Sequence, residues 1–359
     1  MGHFRKQYKS NRLVVFALIS ILCIVAAGCR DCNGIESKES FMLVYVDTNE
    51  HIRVRYSDDG LSWSLGNLEG ATDDAGVGAT ASLDGVGMTR VIAHTGGVSR
   101  LRLRWGVGPA NWDASDRDVD DVQRVAASIT YADSNLLLVT GLGQTNGVSV
   151  YSYESTSRQV VDRTPTGLSG LVNQYARHIQ IFNHDGLLLV GFLRYSGYGS
   201  QGSPVGVELI VGTSTHSAPV NWTQAIQFTN TEPGYSGVVS GPCFSHDTAK
   251  VYMGVVRQST ASSTYKLFIY SSTDGITWQL HDSMDQIPFV DEVQVRIAVQ
   301  SSKKVVAGFM GGQGTHAVYR KNTDGSWTRI PDGSLFGSDT PSFVPFALIS
   351  AGRPPTATN

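Results

Sequence analysis

The chain has 359 residues and a formal net charge of −3; 39 residues are glycine and only 16% are charged. A negative balance excludes nucleic acid as the expected partner, and a glycine-rich, charge-poor composition suits short strands and tight turns rather than helices. The four cysteines form no CxxC…CxxC set, and no Cys/His spacing of the zinc-site kind occurs, so a structural zinc is not indicated.

At the start of the chain, Arg5, Lys6, Lys9 and Arg12 precede an uncharged, almost wholly apolar run from Leu13 to Gly28. That is the layout of a signal peptide, and about 16 apolar residues fall short of the roughly 20 that span a bilayer. The run ends Val25-Ala26-Ala27-Gly28-Cys29, which resembles the lipobox of bacterial lipoproteins. The resemblance implies cleavage before Cys29, a lipid on its thiol, and a membrane-anchored protein of the cell envelope. Arg30 stands where that family places an inner-membrane retention Asp, so the outer membrane is the expected address where the host has one. Cleavage would remove the four basic residues and take the net charge from −3 to −7. Cys23 would leave with the leader and Cys29 would carry lipid; Cys32 and Cys243 are then expected as free thiols, a disulfide between them being the alternative.

From Phe41 onward, short β-branched and aromatic runs alternate with Gly, Asn, Asp and Ser clusters, so the class is all-β. One signature recurs. Ser57-Asp58-Asp59-Gly60-Leu61-Ser62-Trp63 is matched by Ser272-Thr273-Asp274-Gly275-Ile276-Thr277-Trp278, and a shorter Asn322-Thr323-Asp324-Gly325-Ser326-Trp327 follows. The residue types suit a hairpin turn: Asp accepts backbone N–H groups, Gly takes a positive φ, and Trp packs the turn onto its sheet. These segments resemble the Asp-boxes, or BNR repeats, of sialidases and related β-propellers, in a form with one residue fewer between Asp and Gly. The motif is structural, resting on Ser57, Asp59, Gly60, Trp63, Ser272, Asp274, Gly275, Trp278, Asp324, Gly325 and Trp327.

The tryptophans at 63, 112, 222, 278 and 327 are spaced by about 49, 110, 56 and 49 residues, which is six repeats of blade length once the long step is counted as two. Each repeat reads as four strands, except that the first begins at Met42-Val46, a second strand. The apolar run Phe343-Ser350, left over after the sixth unit, is expected to supply the missing one and seal the ring. The expected fold is a six-bladed β-propeller of four-stranded blades closed by its C-terminal strand, five or seven blades being the alternatives. The expected organisation is a signal peptide over 1–28, a tether over 29–40, the propeller over 41–352 and a tail over 353–359.

In propellers of the resembled kind the Asp-box turns join strands three and four on the face away from the ligand. Candidate residues therefore come from the loops leading into first strands and from those between strands two and three. Arg124, Arg177 and Arg296 hold comparable places near the first strands of repeats three, four and six, where three guanidinium groups could clamp a carboxylate or sulfate. The resemblance to sialidases, which use an arginine triad so, implies the same. Local pairing, as of Arg124 with Asp120 or Asp121 and Arg296 with Glu292, is the structural alternative and the preferred one. Glycoside hydrolysis needs an acid and a nucleophile or base; Asp120, Asp121, Glu232, Asp291 and Glu292 are the carboxyl candidates, and Tyr175 and Tyr235 the tyrosines. Tyr195 and Tyr198, on the longest loop between strands two and three, with Tyr235, could stack on a sugar or peptide. The acidic stretch Asp113, Asp116, Asp118, Asp120 and Asp121 raises calcium, without an EF-hand pattern; no other cofactor is expected.

Two departures from the sialidase pattern argue against catalysis. No Arg-Ile-Pro precedes the first blade, and Asp339-Thr340-Pro341-Ser342 lacks the tyrosine of that family's last blade. The expected function is thus an envelope lipoprotein whose propeller binds a glycan or a protein partner. A divergent exo-acting glycoside hydrolase of sialidase type is the first alternative, and an envelope scaffold the second.

Overall fold

β-Branched and aromatic runs favour pleated, half-buried backbone, and the polar and glycine clusters between them break it. A computed structural model describes residues 40–49, 51–66, 77–84, 87–94, 100–107, 111–112, 117–131, 136–143, 148–154, 157–164, 176–184, 186–196, 203–213, 221–287, 294–310, 316–339, 341 and 346–351. Residues 1–39, with Cys29 and Cys32, and residues 352–359, and with them the expected signal peptide and tail, lie outside the described residues.

Strands β1 (Ser40–Val46), β2 (Ile52–Ser57) and β3 (Ser64–Gly66) form the first blade with β24 (Ala347–Ala351), which pairs antiparallel to β1 with Leu43 opposite Leu348. The second blade holds β4 (Val77–Asp84), β5 (Gly87–His94), β6 (Arg100–Val107) and β7 (Asn111–Trp112). The third holds β8 (Arg117–Tyr131), β9 (Leu136–Gly143), β10 (Val148–Glu154) and β11 (Val160–Asp162), and the fourth β12 (Ala176–His184), β13 (Leu187–Tyr195), β14 (Pro204–Thr213) and β15 (Asn221–Gln227). The fifth comprises β16 (Tyr235–His246), β17 (Val251–Ser259), β18 (Tyr265–Ser272) and β19 (Gln279–Ile287), and the sixth β20 (Gln294–Val299), β21 (Val305–Met310), β22 (His316–Lys321) and β23 (Trp327–Arg329). A short helix α1 (Asp332–Phe336) leads toward β24.

The first strands β24, β4, β8, β12, β16 and β20 touch one another in succession around a ring, β20 meeting β24 and β24 meeting β4. The chain is therefore a six-bladed β-propeller closed as the sequence pattern predicts. A first strand has one unpaired edge, and side chains of the preceding blade cover part of it. Ser128 Oγ accepts the Ile181 N–H at 3.1 Å and Thr130 Oγ1 that of Asn183 at 3.2 Å; Gln180 Oε1 accepts from Phe244 at 2.7 Å and Ser245 Oγ from Val299 at 2.8 Å. Each satisfies a backbone donor that would otherwise be unpaired in the interior.

Apolar layers lie between blades rather than within one sheet, because strand alternation sends neighbouring side chains to opposite faces. Leu189, Val207 and Leu209 of blade four meet Phe244, Met253 and Tyr270 of blade five, and Phe41, Leu43 and Tyr45 of blade one meet Val306, Val318 and Phe336. Cys243 lies in the layer between blades five and six. Its Sγ donates to Gly254 O at 3.4 Å, and burial pushes the thiol pKa up to about 12, so it packs as a neutral, unreactive group.

Both full turns join strands three and four. In the first, Asp59 Oδ1 accepts the N–H groups of Leu61 (2.7 Å) and Ser62 (2.8 Å), Ser57 Oγ accepts that of Gly60, and Trp63 Nε1 donates to Gly60 O. Asp274, Ser272, Gly275 and Trp278 repeat those bonds. The tryptophans differ from expectation in their packing: Trp278 joins the layer between blades four and five, and Trp63 that between six and one, so each turn is wedged against a neighbouring blade.

One boundary departs from the sequence expectation. Asp118, Asp120, Asp121 and Arg124, expected in a loop leading into blade three, lie in the continuous strand β8. Its first part pairs with β6 in blade two, Arg102 opposite Asp118, and its second with β9 from Arg124 onward. β-Branched and apolar residues from Val119 to Ile129 keep the backbone extended through the acidic stretch, and Arg102 of β6 supplies an opposite charge to Asp118 across the ladder. Arg102 Nε meets Asp118 Oδ1 at 2.9 Å, so that carboxylate serves a cross-strand pair.

Candidate functional site

Opposite the turns lies the face where first strands begin and second strands hand over to third strands. Its best-defined part is the mouth of blade five. Segment 228–234 leads from β15 into β16, and Asn230 ties it down by donating from Nδ2 to Trp278 O at 3.0 Å. Arg257, buried near the end of β17, donates from Nη1 to Ser236 O at 3.1 Å and from Nη2 to Asn230 O. Tyr270 on β18 donates its hydroxyl to Glu232 Oε1 at 2.7 Å. Burial first, and the hydrogen bond to Glu232 next, push the Tyr270 hydroxyl pKa up, so it remains a donor and Glu232 its acceptor. Gly234 closes the loop at φ 79°, and its carbonyl accepts from Thr260 N at 2.9 Å, which joins the two loops of this mouth.

Tyr235 opens β16 half-buried, its ring edge-on to Phe268 at 5.0 Å. Lys266 Nζ lies 5.8 Å from the Tyr235 ring centre and 2.9 Å from Asp285 Oδ1. An aromatic ring beside a paired ammonium and a lysine stem is a surface on which a polyol can stack and hydrogen-bond.

The mouth of blade one carries an equivalent latch in different residues. Asp339, in the segment leading to β24, accepts from Tyr45 OH at 2.9 Å and from Arg55 Nη2 at 2.8 Å; Arg55 also donates to Tyr45 OH and to Phe336 O. Arg55 and Tyr270 each lie two residues before the serine that opens their turn. In both blades the strand-three side chain grips the carboxylate of the lead-in segment. Asp47 accepts from the N–H groups of Asn49 and His51 and from Arg53 Nε at 2.8 Å; burial opposes ionisation there, but these donors together hold the carboxyl below the usual range. Arg257, Tyr270 and Arg55 escaped sequence reasoning because they sit in strand interiors. For Arg55 and Tyr270 the signal that could have found them is the two-residue offset from the turn serine.

The predicted arginines are distributed over three first strands. Arg124 pairs with Gly143 and Arg177 with Leu193, each beside a register shift. Arg296, opposite Gly308, is buried, donates from Nη1 to Val295 O at 2.9 Å and stands 5.9 Å from the Phe346 ring centre. Burial pulls its pKa down. Of the three guanidinium groups only that of Arg296 lies among the described side chains. Tyr195 ends β13 opposite Pro204 and packs on the layer between blades four and five; Arg194, beside it, pairs with Glu208. Asp120 and Asp121 lie on β8 as described. Tyr175, Tyr198, Asp291 and Glu292 lie outside the described residues. Among the described residues no group of three or more His, Cys, Asp or Glu is clustered as a metal site.

The fold places the chain in the class of six-bladed β-propellers. Among solved structures it is similar to TolB from Acinetobacter baumannii, at 11% identity over 88% of this chain and 67% of that one, with a TM-score of 0.52. It is also similar to the lectin of Aleuria aurantia. A mutant of that lectin in complex with Fucα1-6GlcNAc matches at 10% identity over 85% of this chain and 93% of the lectin, TM-score 0.50. The lectin structure described as a six-bladed β-propeller with a novel fucose recognition mode matches at 11% identity over 84% and 91%, TM-score 0.50. At such identities the likeness is one of fold. No protein-family model matches the sequence, and no curated protein does.

Proposed function

We propose that the protein is a non-catalytic glycan-binding propeller of the cell envelope, held at the membrane by a lipid on Cys29. The observation that carries the binding half is the state of the acids on the ligand face. Glu232 is engaged by Tyr270, and Asp339 by Tyr45 and Arg55, so these carboxylates brace the loops. What they brace includes the half-buried Tyr235 ring beside Lys266. Support also comes from the lectin fold relatives, which bind fucosides on propellers of the same blade number, and from the turns, whose Ser, Asp, Gly and Trp form the bonds expected of sialidase-type Asp-boxes. The anchoring half rests on the basic start, the apolar run and Val25-Ala26-Ala27-Gly28-Cys29.

The test is binding of the full chain to an immobilised glycan library, with chromogenic glycosides assayed in parallel. A defined set of glycans should be retained without turnover, and Tyr235→Ala should weaken retention by about tenfold, the loss of a stacking aromatic contact. Turnover of any glycoside, or no retained glycan, would overturn the binding proposal. Separately, Cys29→Ser should shift the protein from the membrane to the soluble fraction; an unchanged distribution would overturn the lipid anchor.

A further inference from the structure

On the face away from the proposed ligand surface, two first strands end side by side in histidine. His184 is the last residue of β12 and His246 the last of β16, 62 positions apart in the chain. Their Nδ1 atoms are 3.3 Å apart, the ring centres 5.2 Å apart, and the ring planes at 60°. His184 is buried and His246 half-buried, with the edge of Phe182 against the His246 ring at 5.4 Å between centres.

The two separations together limit what can lie between the rings. A direct N–H···N bond is ordinarily about 2.7–3.2 Å and near-linear, which at the observed nitrogen separation would set the ring centres about 5.5 Å apart. Two imidazoles that share one tetrahedral ion through bonds of about 2.0–2.1 Å would have nitrogens about 3.3 Å and ring centres about 5.2 Å apart. The observed separations, 3.3 Å between nitrogens and 5.2 Å between ring centres, match the second arrangement. Asp247 follows His246 directly; its carboxylate accepts from Tyr252 OH at 2.7 Å and from the N–H groups of Ala249 and Lys250 at 2.8 and 2.9 Å. A fixed negative charge beside the pair favours a cation there.

We infer that His184 and His246 bind a divalent transition-metal ion, of the zinc type, through their Nδ1 atoms across the seam between blades four and five. Imidazole nitrogen suits zinc, cobalt and nickel rather than calcium or magnesium, and water completes the coordination. Both ligands are ends of first strands in adjacent blades, so the ion ties the ring at the opposite mouth from the glycan surface, and the site stands independently of the proposed glycan binding.

The experiment is titration of the full chain with zinc chloride by calorimetry and with cobalt(II) chloride by visible absorption. One ion per chain is expected, with cobalt bands of a nitrogen- and oxygen-ligated ion and none of a thiolate. His184→Gln and His246→Gln should each weaken zinc binding at least tenfold, whereas His281→Gln, on the same face but outside the pair, should not. Histidine ring NMR of the unmodified chain provides a measurement that needs no variant: two ring systems should shift on adding zinc. Absence of zinc binding at millimolar concentration, unshifted ring signals, or unchanged affinity in both pair variants would overturn the site.

Discussion

The full turn at 272–278 and the short turn at 322–327 perform the same chain reversal with different consequences for the ring. Gly275 and Gly325 both hold a positive φ, 71° and 87°. A Cβ on Gly275 would stand 2.8 Å from Leu189 Cδ2 of blade four, whereas one on Gly325 would meet nothing within 4 Å. Trp278 is buried in the seam and bonds back to its own turn; Trp327 is half-buried and donates to Ser283 O of the preceding blade. Gly60 behaves like Gly275, its missing Cβ lying 2.7 Å from Val306 Cγ2 of blade six. The full turn thus presses its glycine against the neighbouring blade, whereas the short turn meets that blade through Trp327, which packs on the layer between blades five and six.

The largest expected effect is on the tryptophans. Trp278→Ala should destabilise the fold by about 3–5 kcal/mol, as a large core truncation does, and the half-buried Trp327→Ala by about 1–2 kcal/mol; equal losses in denaturant unfolding would remove the distinction between the turns. Next come the glycines. Gly275→Ala adds a close contact to the positive-φ penalty and should cost about 2–4 kcal/mol, while Gly325→Ala incurs the backbone term alone, about 1 kcal/mol. A Gly325→Ala variant as unstable as Gly275→Ala would show that backbone strain, not the neighbouring blade, decides.

The smallest effect is on acid stability. Burial pushes the Asp274 carboxyl up, but the Thr277 and Ile276 N–H groups and the Ser272 hydroxyl outweigh it and hold its pKa at about 2. Asp324 is lowered chiefly by the Ser326 hydroxyl and N–H. A carboxyl depressed on folding stabilises above the ordinary aspartate value of about 3.9, and that contribution is lost as pH falls through the folded value. Unfolding followed from pH 6 to pH 2 should therefore show the parent's advantage over Asp274→Asn shrinking toward pH 2, with a smaller change for Asp324→Asn. Parallel pH profiles for parent and Asp274→Asn would contradict the assignment.

Much of this architecture was legible because its causes are local. Strand runs, Asp-Gly turns and a leftover apolar run at the end specify four-stranded blades and a closing strand, since side-chain alternation and turn conformation act within a few residues. The structure bears out the pairing of the first and last strands. Where long-range pairing competes with local composition, sequence reasoning stopped short: the acids from Asp118 to Asp121 suggest a solvated loop, yet β6 sets Arg102 opposite Asp118 and the stretch is drawn into β8.

The sequence by itself determined the class and the turns, and favoured six blades with five or seven as alternatives. Only the tertiary structure decided which charged groups are already engaged: Glu232 by Tyr270, Asp339 by Arg55, Asp118 by Arg102. It alone brought His184 beside His246. Each of these depends on which blade stands next to which, a relation set by packing around a closed ring and carried by no local stretch of residues.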